Sequence, residues 1–213
     1  MTLRIGAERF TPISADMALP PHKAPRDRRA ALSALTAPAH ARLDEAMRGA
    51  GFFATPVLYA RYLQITHQAR RALEAALAPL RLLPADAYEL TASLEADLAD
   101  LGTAPLGAAP PVSFARGSGW GCLYVLQGSN LGALQLRGWA QALGFDGAHG
   151  ARHLALQAQR ARHWRGFVAR LNAQSFSPAE EQECAAGALA AFAHFTAAMP
   201  GLAQPQHRTL DPA

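Results

Sequence analysis

The chain reads as an all-α protein, and three observations point that way. Alanine and leucine are abundant while β-branched residues are few, the 15 prolines fall mostly at segment edges, and successive segments repeat apolar residues at helical spacing. With 213 residues, half of them hydrophobic and 17% charged, the chain is long enough for one domain with a substantial core.

Residues 1–26 carry Pro20, Pro21 and Pro25 without sustained periodicity and predict an extended or loosely docked arm. A first helix is predicted over 27–47, with Leu32, Leu35, Leu43 and Met47 as its apolar stripe. Pro38 lies within it, so the helix should either bend just ahead of residue 40 or start late. A second helix over 56–77 gathers Tyr59, Tyr62, Leu63, Thr66, Leu73 and Leu77 near one face, and a third over 84–101 is ended by Gly102. The Pro-, Gly- and Ala-rich stretch 103–112 predicts a loop. A single helix over about 118–143 follows, stopped by Gly144, and residues 146–150 read as a turn. Two amphipathic helices over 151–173 and 178–199 complete a domain spanning 27–199, and the tail 200–213 should fray.

The net charge of +4 comes from arginines scattered among alanines, with no basic stripe interleaved with aromatics, so a solvated surface is expected and nucleic-acid binding is not. Such a balance also suits an anionic ligand or an acidic protein partner. Cys122 and Cys184 are too few for a disulfide framework and fit a reducing compartment. No apolar run approaches the length of a membrane span and the first thirty residues lack an export signal, so a cytoplasmic location is expected.

Two segments carry chemistry. In Trp120-Gly-Cys-Leu-Tyr-Val-Leu-Gln-Gly-Ser-Asn-Leu-Gly-Ala133, Gly128 and Gly132 stand four apart inside a predicted helix. Each interior Gly costs about 1 kcal/mol against Ala, so something must approach their shared face more closely than a Cβ permits: another helix backbone or a flat ligand. In Thr36-Ala-Pro-Ala-His40-Ala-Arg-Leu-Asp44, one His lies beside an apolar stripe. Such a His is usually structural, yet neutral imidazole is a good axial ligand for haem iron and leaves the opposite iron face open.

Together, T-x3-H-x2-L-D and the downstream L-Y-V-x-Q-G-S-N-L-G-A resemble the haem oxygenases, most closely the bacterial biliverdin-forming branch, whose distal motif usually runs Y-V-x-E-G-S-x-L-G-G. Tyr59-Ala-Arg-Tyr-Leu63 with Glu74, and Trp164-Arg-Gly-Phe167 with Leu171, are similar to further segments of that family. Gln127, Ala133 and Pro38 depart from its pattern.

The resemblance implies a helical bundle that holds haem between a proximal and a distal helix. Haem would be both cofactor and substrate, cleaved to biliverdin, carbon monoxide and ferrous iron with dioxygen and electrons from a ferredoxin or flavoprotein reductase; a biliverdin-using phytochrome is a compatible recipient. His40 would ligate iron, Gly128 and Gly132 would let the distal backbone approach haem, and Ser129 and Asn130 would orient water. Tyr124, Arg137 and Arg165 are the candidates for holding the propionates. The departures motivate an alternative, a noncatalytic haem carrier or sensor on the same fold; a helical interaction module without haem is a third reading. His67, His149, His153 and His163 are expected to be exposed imidazoles, and Asp146-x-x-His149 is the sole approximation to the Glu-x-x-His pairs of a di-iron bundle.

Overall fold

A computed structural model describes residues 27–199; the predicted arm over 1–26 and tail over 200–213 lie outside the described residues. Eight α-helices account for the described chain: α1 (Arg28–Gly49), α2 (Pro56–Leu77), α3 (Thr91–Asp100), α4 (Arg116–Gly128), α5 (Ala133–Ala142), α6 (Arg152–Arg160), α7 (Trp164–Asn172) and α8 (Pro178–Ala197). Short 3-10 turns occupy Ala78–Leu80, Ala85–Ala87, Ser129–Gly132 and Ala161–His163.

The Asp27 carboxylate starts α1 by accepting from the Ala30 N–H at 3.0 Å, and the helix then runs through Pro38 to Gly49 rather than starting late. Proline deprives the Ala34 carbonyl of its donor, but Pro38 and Ala34 are both exposed, where water can take that carbonyl. The second helix matches its predicted bounds. Thr55 accepts from the Leu58 N–H at 3.2 Å, Pro56 sits in the first turn, and Tyr59, Tyr62, Leu63, Leu73 and Leu77 are buried together.

Three predicted helices are longer than the real ones. The stretch 84–90 is a 3-10 turn and an irregular strap because side chains from other helices take its backbone groups. Gln127 donates to the Ala87 carbonyl at 2.8 Å, Arg70 to the Tyr88 carbonyl, and Arg160 to the Glu89 carbonyl at 2.9 Å. Glu74 accepts from the N–H groups of Leu90 and Thr91 at 2.9 and 3.1 Å and so opens α3. The helix predicted over 118–143 is split by the 3-10 turn Ser129–Gly132, and that over 151–173 by Ala161–His163. Gly102 (φ +58°) and Gly144 (φ +88°) end their segments as read, each in the left-handed region.

The closest helix crossing joins α4 to α8. A Cβ on Gly121 would collide with the Cys184 carbonyl oxygen, one on Gly187 with the Ser118 carbonyl oxygen, and one on Gly117 would lie 2.6 Å from the Glu180 carbonyl oxygen. The small-xxx-small packing considered for Gly128 and Gly132 is thus found at Gly117 and Gly121. Helix α8 begins with a capping box between Ser177 and Glu180 and also packs against α1. Around this crossing Trp120, Leu123, Leu126, Phe167, Leu171 and Phe192 form one core cluster; Tyr59, Leu63, Leu94, Leu98 and Leu154 form a second between α2, α3 and α6.

Gly121→Ala and Gly187→Ala should each cost about 3 kcal/mol, because backbone, not a flexible side chain, must give way. Gly132→Ala, with nothing within 4 Å of its Cβ position, should stay within about 1 kcal/mol of the wild type. Denaturant unfolding of the haem-free proteins checks both; equal stabilities would contradict the crossing.

Candidate active site

His40 projects from α1 with its side chain 62% exposed, its ring edge-on to Phe192 of α8 at 5.7 Å between centroids. Its Nδ1 lies 2.9 Å from the Asp44 carboxylate, one helical turn on. This places a carboxylate beside one ring nitrogen of an imidazole that is otherwise largely open to solvent, and imidazole nitrogen is a common metal ligand. Asp44 stands in the sequence motif, and its i, i+4 spacing from His40 was the available signal of this proximity.

Five of the six large exposed hydrophobic side chains among the described residues lie on four elements: Leu35 on α1, Leu131 in the 3-10 turn, Leu134 and Trp139 on α5 and Leu189 on α8. Exposed apolar residues on such elements fit a flat apolar ligand. The two distal glycines do not share one α-helical face, contrary to the sequence reading. Gly128 ends α4, and the intervening turn advances about 120° per residue instead of about 100°, which rotates Gly132 away. A Cβ on Gly128 would meet only the Trp164 ring edge at 3.8 Å, and one on Gly132 nothing within 4 Å. Gly132 therefore has open space above it, whereas Gly128 is in van der Waals contact with Trp164.

Ser129 is exposed, and its hydroxyl donates to the Leu126 carbonyl at 2.8 Å while accepting from Gln157 Nε2 at 3.1 Å. Asn130 is buried and points Nδ2 at Gln127 Oε1, 3.4 Å away. The half-buried Tyr124 packs against Trp164, with ring centroids 5.9 Å apart, so it shares a neighbour with Gly128. Arg165 follows Trp164 on α7, and Arg137 lies on α5 one turn past Leu134; neither forms an ion pair among the described residues.

Two expectations need correction. His149 and His163 are exposed, but His67 and His153 are buried. Nor are the arginines all solvated: Arg28, Arg70 and Arg160 are buried, held by the Leu171 carbonyl and Glu181, by Glu74 and the Tyr88 carbonyl, and by the Glu89 carbonyl. Local periodicity could not show this, since most of the partners sit on other elements. His153 pairs Nδ1 with Asp97 at 2.7 Å, both fully buried. Burial pushes the His153 imidazole below its ordinary value against the opposing pull of Asp97, so it is neutral. Burial opposes the Asp97 charge, yet the bonds from His153 outweigh it and hold that carboxyl below its usual range. Burial also pushes the thiols of Cys122 and Cys184 up to about 12, leaving neither as a nucleophile. Among the described residues no group of three His, Cys, Asp or Glu side chains could hold a metal ion.

The sequence profile described as Heme oxygenase matches residues 119–200. The chain is 36% identical over 174 residues to haem oxygenase PigA of Pseudomonas aeruginosa, covering 77% of this chain and 87% of that protein. It is 33% identical over 113 residues to a haem oxygenase of Xanthomonas campestris, covering 53% and 68%. The crystal structure of the NO- and CO-bound haem oxygenase from Neisseria meningitidis superposes with a TM-score of 0.74 at 31% identity, covering 83% of this chain and 92% of that one. The chain belongs to the haem oxygenase family.

The buried pair makes a pH prediction. The unfolded chain protonates His153 near pH 6.5 while the folded chain resists it, so stability is present above that value and declines as pH falls below it. The Asp97 contribution persists to lower pH and is lost only as pH falls through its depressed folded value. His153→Gln should flatten the fall in stability between about pH 7 and pH 5. Thermal unfolding of the two proteins across that range checks it, and parallel curves would refute it.

Proposed function

We propose that His40 Nε2 is the axial ligand of the haem iron and that haem lies between α1 and the Gly128–Gly132 turn. By its family the protein is an enzyme of haem degradation, cleaving haem to biliverdin, carbon monoxide and ferrous iron with dioxygen and external electrons. The observation that carries the assignment is the exposure of His40 on α1, beside Phe192 of α8 and with the Asp44 carboxylate next to its Nδ1. Haem supplies the iron that activates dioxygen; the protein's contribution is binding, orientation and ordered hydrogen bonds.

Gly128 and Gly132 supply clearance on the distal side, supported by the open space at the Gly132 Cβ position and the absence of any clash at Gly128. Ser129 and Asn130 then order water beside the reacting centre. The Ser129 proton is committed to Leu126, so this hydroxyl acts as an acceptor toward water rather than as an acid. Neutral groups of this kind orient water without placing a charge near the iron. Tyr124, Arg137 and Arg165 are assigned to the propionates, supported by the contact of Tyr124 with Trp164 and by the absence of ion-pair partners for the two arginines among the described residues.

The net positive charge favours an acidic electron donor, a ferredoxin or flavoprotein reductase, and a phytochrome is a compatible user of the biliverdin. No helix of the described residues is long and apolar enough to cross a membrane, and Cys122 and Cys184 are free and buried; a cytoplasmic location belongs to the same reading.

Haem added with a reducing system under air should lose its Soret band as a biliverdin band grows. His40→Ala should abolish the histidine-ligated spectrum, with exogenous imidazole partly restoring it; an unchanged spectrum would overturn the ligand assignment. Gly132→Leu fills the space above the turn and should suppress biliverdin formation and carbon monoxide affinity more than haem affinity. Wild-type turnover in a folded Gly132→Leu protein would contradict the close approach.

A further inference from the structure

Gln127 stands where the resembled family usually has Glu, and its surroundings show that an amide is required here. The Ala87 carbonyl can only accept, so Gln127 must turn Nε2 toward it, at 2.8 Å. That leaves Oε1, which also can only accept, facing Asn130 at 3.4 Å. Asn130 is therefore obliged to direct Nδ2 inward, and its Oδ1 is the end with no hydrogen bond among the described residues. Three groups thus form one polarised chain whose direction is set by a backbone carbonyl 40 positions upstream.

A carboxylate at 127 has no hydrogen to give. It would face the Ala87 carbonyl with lone pair against lone pair, beside a strap whose next two carbonyls already take Arg70 and Arg160. Its charge would also draw one of those guanidinium groups off the strap. The departure from the family pattern is thus matched to the strap that the residue holds.

Ser129 has the same polarity as Asn130. Its proton goes to Leu126 and one lone pair to Gln157, leaving one acceptor site. A water received by these oxygens gives one hydrogen to the protein and keeps the other for the reacting side.

We propose that Gln127 is a positioning residue for haem cleavage, its amide forcing Asn130 to present an acceptor oxygen, rather than a donor, at the distal turn. This rests on the assignment of Asn130 to the distal water above. The test uses the full chain with Gln127→Ala, Gln127→Glu, Asn130→Ala and the double Gln127→Ala/Asn130→Ala, in three measurements. In the haem-free proteins, the Asn130 side-chain amide resonances should shift in Gln127→Ala and Gln127→Glu. In the ferrous haem complexes, the stretching frequency of added carbon monoxide should move by the same amount in Gln127→Ala and Asn130→Ala. Biliverdin formed per haem should fall on the order of tenfold in each single variant, with the double variant no worse than Asn130→Ala. Gln127→Glu keeps the volume and serves if the alanine variant does not fold.

An additive double variant, or a Gln127→Ala protein that melts lower while its carbon monoxide frequency stays at the wild-type value, would overturn the proposal. Impaired Asn130→Ala beside wild-type Gln127 variants would overturn it alone. A wild-type rate in Asn130→Ala would overturn the distal-water assignment beneath it.

Discussion

The constraint on which the rest depends is the contact of α4 with α8 at backbone distance. Gly117 and Gly121 of α4 and Gly187 of α8 leave no Cβ between the helices, so carbonyl oxygens of one chain segment lie where side chains of the other would stand. Helix α8 also packs against α1 and presents Phe192 to His40. It is therefore the common neighbour of the helix that carries the proposed iron ligand and the helix that ends at Gly128. The spacing of these helices is set by the crossing, and the short backbone distance there offsets what glycine costs in a helix.

The second requirement is a polar interior in which most buried polar groups find partners, although Arg70 Nη1 and His153 Nε2 have none among the described residues. Taking Arg70 and Glu74 out of water is costly unless hydrogen bonds replace the lost hydration. Glu74 accepts from Arg70, from two N–H groups at the start of α3 and from the Thr91 hydroxyl at 2.5 Å. Arg70, Gln127 and Arg160 meanwhile donate to three consecutive carbonyls. The strap from Ala87 to Thr91 is thus held by α2, α4 and α6 together, and the distal turn inherits its position from it through Gln127. Asp97 and His153 do similar work one layer away, where the carboxylate also receives the N–H groups of Arg152 and His153 at 2.9 and 3.0 Å and so starts α6.

The surroundings of His40 are simpler: one imidazole lies beside one carboxylate a turn away, and both are largely exposed. By contrast, the Gly128–Gly132 turn is tied into the interior through Asn130 and Gln127.

Much of this was legible in the sequence. The all-α class, the bounds of α2, the stops at Gly102 and Gly144, and both motifs follow from local rules: propensity, apolar period, and the conformational freedom of glycine. His40 was readable as a ligand candidate because ligation needs a particular atom type, and residue type is what a sequence states directly. The polarity of the distal turn was not readable, nor was the burial of His153 and three arginines. Each depends on a partner brought from far along the chain, as Gln127 is to Ala87 and His153 to Asp97. The same cause explains the helices that came out too long. A local pattern counts the hydrogen bonds a segment can make with itself, whereas at 87–91 the competing donors and acceptors come from other helices, and at the α4–α8 crossing glycine's value is decided by a backbone that only the tertiary fold brings near.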